Sequence, residues 1–81
     1  MMAVDSRLAW QCRRGMLELD LLLQGFLENG YAQLDASGRD AFERLLKTQD
    51  QILFEYFMEN KSPRDRELID VIEQIRHAAQ T

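Results

Sequence analysis

The sequence predicts an all-α protein, a compact bundle of five helices that forms a single domain over residues 1–81. The chain contains 4 glycines and 1 proline, which are too few for the many turns of an all-β fold. Apolar residues make up 46% and charged residues 30% of the chain, as is typical of a globular domain. Residues 1–5 and 80–81 are expected to be flexible, and between them apolar residues recur at helical spacing.

The first two helices are predicted from candidate caps and from one wide apolar stripe. Asp5 and Ser6 are candidate N-caps for a short helix over about residues 7–13. A longer helix follows over about residues 15–28, and Gly30 suits the left-handed position just after its end. The core stripe of this second helix has i, i+3, i+4 and i+7 spacing and consists of Met16, Leu19, Leu22, Leu23, Phe26 and Leu27.

Three further helices are predicted from start signals. The third begins after Asp35 or Ser37, and Asp35 is favoured because the preceding leucine can then pack on the helix. Asp50 is expected to cap a fourth helix over residues 51–59, which is apolar nearly all round and is therefore central or covered by a partner. In residues 62–65, a serine cap and a proline at the first helical position predict the start of the fifth helix.

Net charge and cysteine content limit the classes of function. The chain has 10 basic and 14 acidic residues, and the net charge of −4 argues against a nucleic-acid binder, because such proteins usually present a basic face. The single cysteine, Cys12, excludes an internal disulfide and is interpreted as a small buried hydrophobe. No signal-peptide pattern and no apolar run of about 20 residues is present, so we expect a cytoplasmic protein that does not insert into membranes.

Catalytic and metal-binding patterns are missing from the sequence. One histidine and one cysteine, distant in sequence, cannot form a zinc site by themselves. Glu18 and Asp20 are two residues apart on a helix, so their side chains point about 160° apart and cannot act as a paired acid and base. We therefore expect a protein without catalytic residues or a metal, which acts by surface recognition.

Residues 13–20, which we call the corner segment, concentrate the groups that suit recognition. Two adjacent arginines precede Gly15, where a missing Cβ lets another backbone come close. Arg14 and Glu18 are four residues apart, so they either pair along one helix or face a partner. The segment is therefore interpreted as a docking surface at the junction of a short helix and a longer one.

Two leucines of the second helix lie outside its core stripe. Leu17 and Leu21 fall on the polar side, flanked by Glu18, Gln24 and Glu28. They either pack under a neighbouring helix or form an exposed apolar contact patch, and the sequence leaves both possibilities open.

Residues 14–18, Arg-Gly-Met-Leu-Glu, resemble the RGxxE motif of the SdhE-like FAD assembly factors of succinate dehydrogenase, the flavinator family. The lead-in over residues 7–13 is similar to that of the family, with Trp10 and Cys12 before the double arginine. The ordered later landmarks also match the family, so the resemblance covers about residues 7–72. These landmarks are a leucine pair followed by Asp50, an aromatic-rich helix, and a proline before the last helix.

The sequence departs from the family pattern at two places outside the motif. Tyr56 stands where many relatives have tryptophan, which keeps an aromatic side chain. Ser62 and Pro63 replace a glycine-containing lead to the last helix, so a cap replaces a turn residue.

The resemblance implies a protein that binds the flavoprotein subunit of succinate dehydrogenase, and in bacteria often that of fumarate reductase, and promotes covalent attachment of FAD to a histidine of that subunit. It implies that Arg14, Gly15 and Glu18 are the partner-binding residues of the motif. Further candidate partner-binding residues lie in the lead-in and the motif: Arg7, Trp10, Arg13 and Leu17. We expect no cofactor of its own, because FAD is attached to the partner, and a monomer is the simplest state.

Two other classes of function remain open from the residues alone. A generic helical adaptor or inhibitor would dock through Leu17, Leu21 and the fourth helix. A helical DNA-binding regulator would need a basic recognition helix, whereas only Arg13 and Arg14 cluster in this sequence.

Overall fold

The structure is a computed structural model that describes residues 6–79. Within this range the chain forms five α-helices and one 3-10 turn, without a strand, which confirms the predicted all-α fold. The elements are α1 (Ser6–Gln11), α2 (Leu17–Asn29), the 3-10 turn (Tyr31–Gln33), α3 (Ala36–Leu45), α4 (Asp50–Met58) and α5 (Arg66–Ala79). The predicted cap at Asp5 and the flexibility predicted for residues 1–5 and 80–81 lie outside the described residues.

One apolar core joins the helices, with α5 packed against both α2 and α3. The predicted stripe of α2 is confirmed: four of its residues are buried, and Met16 and Leu22 are partly buried against them. Phe42 of α3 is the largest fully buried side chain. Its ring centroid lies 5.5 Å from that of Phe26 and 5.4 Å from that of Tyr31, within the range of favourable aromatic contacts.

Cys12 has no exposed surface and belongs to this core, as the sequence predicted. Burial raises the pKa of its thiol to about 11, although the nearby Arg14 acts in the opposite direction. A thiol with this pKa stays protonated at neutral pH and behaves as a small hydrophobe.

The start of α3 follows the prediction, whereas the end of α2 does not. Asp35 is the N-cap of α3, and its carboxylate accepts the N–H of Gly38 at 2.8 Å.

Gly30, just after the end of α2, has φ −127°, so the predicted left-handed conformation is wrong. A Cβ at Gly30 would lie 2.5 Å from the Cε1 atom of the buried Phe26 ring, so the position requires glycine for close packing.

The last helix begins at Arg66, three residues after Pro63, so its predicted start at the Ser62-Pro63 pair is wrong. Asp65, just before the helix, takes part both in an ion pair with α3 and in a hydrogen bond within the first turn. Arg44 of α3 donates to Asp65 Oδ2 at 2.7 Å and to Glu67 Oε1 at 2.5 Å. Asp65 Oδ1 also accepts the N–H of Glu67 at 2.9 Å, so this carboxylate fixes the first turn of α5.

The fourth helix is less central than its composition suggests. Of its apolar side chains only Leu53 is fully buried, while Ile52 and Met58 are exposed. No helix in residues 6–79 is both long enough and apolar enough to cross a lipid bilayer.

Candidate protein-docking corner

The candidate site is the non-helical connection between α1 and α2 together with the first turn of α2. The first helix was predicted to continue to residue 13 and the second to begin at residue 15, whereas residues 12–16 lie between the two helices. The backbone N–H of Arg14 donates to the carboxylate of Asp20, in the first turn of α2. This hydrogen bond holds the connection against the start of the helix it precedes.

The guanidinium group of Arg14 is directed into the fold. Its Nη1 donates to the carbonyl oxygens of Gln11, at 2.8 Å, and Leu46, at 2.9 Å. Its Nη2 donates to the carbonyl oxygen of Thr48 at 2.7 Å, and its Nε donates to Asp50 Oδ1 at 2.8 Å. The side chain is 13% exposed, so the positive charge is neutralised and bonded largely within the protein.

The carboxylate of Asp50 accepts hydrogen bonds from two residues of the corner segment. Its Oδ1 accepts from Arg14 Nε, and its Oδ2 accepts the backbone N–H of Gly15 at 2.9 Å. The pKa of the Asp50 carboxyl group is lowered, mainly by the hydrogen bond from the Gly15 N–H and next by the hydrogen bond and charge of Arg14. Desolvation acts in the opposite direction but does not cancel these effects. The carboxylate therefore stays ionised and fastens the α1–α2 connection to the start of α4.

The predicted role of Asp50 as the N-cap of α4 is wrong. Gln49 occupies the cap position with an extended backbone and no side-chain cap hydrogen bond, and Asp50 is the first helical residue. Its side chain is instead turned across to Arg14 and Gly15. An acidic residue at the start of a helix ordinarily caps that helix. The local sequence therefore gives no signal that Asp50 contacts Arg14, which lies 36 residues away.

Gly15 is exposed at the outer side of this tied connection. Its φ is not positive, and a Cβ there would lie 3.4 Å from Asp50 Oδ2, an ordinary van der Waals distance. The fold itself therefore accommodates a side chain at this position.

The first five residues of α2 include three further exposed side chains. Glu18 is exposed and makes no hydrogen bond or ion pair with the described residues. Glu18 does not form the alternative ion pair with Arg14 along one helix, because Arg14 is paired with Asp50. Leu17 is 68% and Leu21 67% exposed, which favours the contact-patch alternative for these two leucines over packing under a helix.

The candidate residues on and after α1 also lie at the surface. Trp10 is 72% exposed, and the Arg13 guanidinium carbon lies 5.7 Å from the centroid of its ring. Such a cation–π pair at an exposed site holds both side chains in a defined arrangement with a modest energy. Arg7 is also exposed on α1.

A groove of about 480 Å³ runs beside this surface between α2, α4 and α5. Glu18 and Leu21 lie on its α2 side, Met58 on its α4 side and Ile75 on its α5 side. Leu21 therefore belongs to the exposed leucine pair and also lines this groove. The helical periodicity of the separate segments does not predict the groove, because three helices form it.

The fold and this surface define a class: a small all-α protein that displays exposed apolar and charged side chains around a glycine whose backbone N–H is bonded to another helix. Within residues 6–79, no group of three or more His, Cys, Asp or Glu side chains is placed to hold a metal ion.

The family model described as the flavinator of succinate dehydrogenase matches residues 6–79 of the chain. The FAD assembly factor SdhE of Legionella pneumophila strain Paris is 44% identical over 72 residues, which cover 89% of this chain and 90% of the relative. The FAD assembly factor SdhE of Shewanella oneidensis is 43% identical over 74 residues, covering 91% and 90%. The corresponding protein of Pectobacterium atrosepticum is 44% identical over 71 residues, covering 88% and 81%. The chain belongs to the succinate dehydrogenase flavinator family.

Proposed function

We propose that this protein binds the flavoprotein subunit of succinate dehydrogenase, and that of fumarate reductase where present, and promotes covalent attachment of FAD to it. Family membership supports the reaction, and the exposed corner segment supports the mode of binding. The contact surface comprises Gly15, Glu18 and Leu17 of the motif, flanked by the exposed Arg7, Trp10 and Arg13.

Gly15 is the observation that carries the proposal. The residue is exposed, has ordinary backbone geometry and leaves room for a Cβ within its own fold. A glycine that its own fold does not require is explained when a second backbone packs against it, because only glycine allows such a close approach. The exposed side chain of Leu17 then adds apolar area to the contact with the partner. The carboxylate of Glu18 adds a charge that specifies the orientation of the two proteins.

The protein acts by orientation and supplies no catalytic group of its own. In the complex, it holds the flavoprotein in the arrangement that brings the accepting histidine against the flavin. Correct orientation of two reacting groups contributes as much as roughly 7–11 kcal/mol to lowering a barrier. FAD is the substrate of this reaction and ends on the partner, so the assembly factor needs affinity for one conformation of the flavoprotein and carries no flavin itself.

The proposal is tested by reconstitution of apo-flavoprotein with FAD, with and without the purified chain. Covalent flavin is measured as fluorescence that stays with the flavoprotein after denaturing electrophoresis. We expect the wild-type chain to increase the rate of covalent attachment and Gly15→Arg to abolish the increase, because the added side chain occupies the space of the approaching backbone.

The matched control is Gln74→Arg, which adds the same side chain on the exposed outer face of α5. This variant is expected to support attachment at the wild-type rate. An increase in covalent flavin that is the same with Gly15→Arg as with the wild-type chain would contradict docking through this corner.

A further inference from the structure

We infer that Asp50 is a positioning residue of the docking corner, which sets the placement of Gly15 and the first turn of α2 toward the flavoprotein without touching it. The inference rests on the proposed function and adds to it a residue that lies outside the recognised motif. It implies that the docking site is built from two segments, the α1–α2 connection and the start of α4.

The geometry of the carboxylate supports this role. Its two oxygens accept from two consecutive residues, from the Arg14 side chain at 2.8 Å and from the Gly15 backbone at 2.9 Å. Two bonds from one rigid group to two successive residues fix the direction as well as the position of the chain between them. Residue 15 is thereby placed relative to α4 and not only relative to its neighbours in sequence.

The remaining contacts of Arg14 extend the same unit. Its guanidinium group bonds the carbonyl oxygens of Leu46 and Thr48, in the connection that leads to Asp50. The corner segment is therefore joined at three residues to the end of α3, the α3–α4 connection and the start of α4: Leu46, Thr48 and Asp50. This arrangement leaves the outer side of Gly15 free while its N–H is bonded on the inner side.

Asp50 does not cap α4, the helix in which it lies. No side-chain cap hydrogen bond is present at the start of α4, where Gln49 is the N-cap residue. A side chain that stabilised only its own helix would turn back to the free N–H groups of the first turn. Instead the carboxylate of Asp50 is directed to the glycine that the partner is proposed to approach.

The decisive variant is Asp50→Asn. Both oxygens of the carboxylate accept from N–H donors, and an amide of the same size offers only one acceptor oxygen, so its NH₂ group must face one donor. The bonds from Arg14 to backbone carbonyl oxygens do not involve Asp50 and are expected to keep the variant folded. We therefore expect a folded protein in which the corner is no longer held in one orientation.

The experiment combines a local and a functional measurement on the full chain. The amide proton of Gly15, followed by NMR, is expected to shift and to exchange faster in Asp50→Asn. The affinity for the apo-flavoprotein, measured by titration calorimetry, is expected to fall about tenfold, in the range typical of residues coupled through direct contact. Should Asp50→Asn not fold, Asp50→Glu is measured in the same way, since it keeps the charge but moves the carboxylate by one methylene group.

The control for a general loss of stability is Asp35→Ala, which removes the cap at the opposite end of α3. It is expected to lower the melting temperature and to leave the affinity within about twofold of wild type, because no contact of the corner changes. Suppose that the wild-type chain binds the flavoprotein. The positioning role of Asp50 is then overturned if the variant at residue 50 binds with wild-type affinity, or if the NMR signal and exchange rate of its Gly15 amide are unchanged. Absence of binding by the wild-type chain overturns the proposed function and this inference together.

Discussion

Arg14 and Asp50 lie 36 residues apart in the sequence, and Arg14 Nε donates to Asp50 Oδ1 at 2.8 Å. This ion pair joins the connection between the first two helices to the start of the fourth. Because the arginine is 13% and the aspartate 33% exposed, the pair is better shielded from water than a surface salt bridge. Arg14 of the corner segment thus stabilises the surface that its neighbours present.

The first prediction compares the two adjacent arginines. Arg14→Ala removes the ion pair and three hydrogen bonds to backbone carbonyls, and is expected to lower the free energy of unfolding by about 2–4 kcal/mol. Arg13→Ala removes an exposed cation–π contact and is expected to cost less than about 1 kcal/mol. Urea unfolding of the two variants measures both values, and equal losses would contradict the internal role of Arg14.

The second prediction concerns pH. The pKa of Asp50 is lower in the folded protein than its ordinary value of 3.8, so its ionised form stabilises the fold. This contribution is fully present above the ordinary pKa and is lost as the pH falls toward and through the lowered one. The difference in unfolding free energy between wild type and Asp50→Asn should therefore shrink between about pH 7 and about pH 2.5.

Urea midpoints at several pH values measure that difference directly. Asp65, whose pKa is also lowered, chiefly by its hydrogen bond with Arg44, titrates in both proteins and cancels in the comparison. A difference that stays constant or grows on acidification would show that the Asp50 carboxylate is not the stabilising form.

The third prediction uses three glycines as matched sites for one methyl group. Gly30→Ala is expected to lower the unfolding free energy by about 1–3 kcal/mol, because its Cβ would lie 2.5 Å from the buried Phe26 ring. Gly25→Ala, within α2 and with no atom within 4 Å of the new Cβ, is expected to raise it by about 0.4–1 kcal/mol. Gly15→Ala, with an ordinary contact at 3.4 Å, should change it by less than about 0.5 kcal/mol.

Chemical unfolding of the three alanine variants gives this order of stabilities. A large loss for Gly15→Ala would mean that the fold itself needs glycine at the corner, which would remove the main support for partner approach at this position.

The fourth prediction contrasts two leucines of the same helix. Leu17→Ala is expected to change the unfolding free energy by less than about 0.5 kcal/mol, because the side chain is 68% exposed, and to weaken binding to the flavoprotein. Leu23→Ala is expected to cost about 2–5 kcal/mol, because that side chain is fully buried. Thermal unfolding and calorimetric titration separate the two effects, and undiminished affinity in Leu17→Ala would exclude this leucine from the contact surface.

The sequence was sufficient where the decisive interaction is local. The core stripe of α2 follows from helical periodicity, and the cap at Asp35 follows from a hydrogen bond that spans three residues. In each of these cases the interacting groups are neighbours in sequence as well as in space.

The sequence was insufficient where a distant residue decides the structure. Asp65, just before α5, accepts the N–H of Glu67 and also pairs with Arg44, which lies 21 residues earlier. The local Ser62-Pro63 pattern carries no signal for that ion pair. The inward direction of Arg14 depends on Asp50 and on carbonyl groups of the α3–α4 connection. A backbone carbonyl carries no sequence signature, so hydrogen bonds of this kind become visible only when the chain is folded.

Docking through the corner segment is tested by the affinity of Gly15→Arg for the apo-flavoprotein. We expect this variant to keep the wild-type melting temperature within a few degrees and to lose measurable binding, while Gln74→Arg retains both. Wild-type affinity in a folded Gly15→Arg protein would contradict docking through the corner segment.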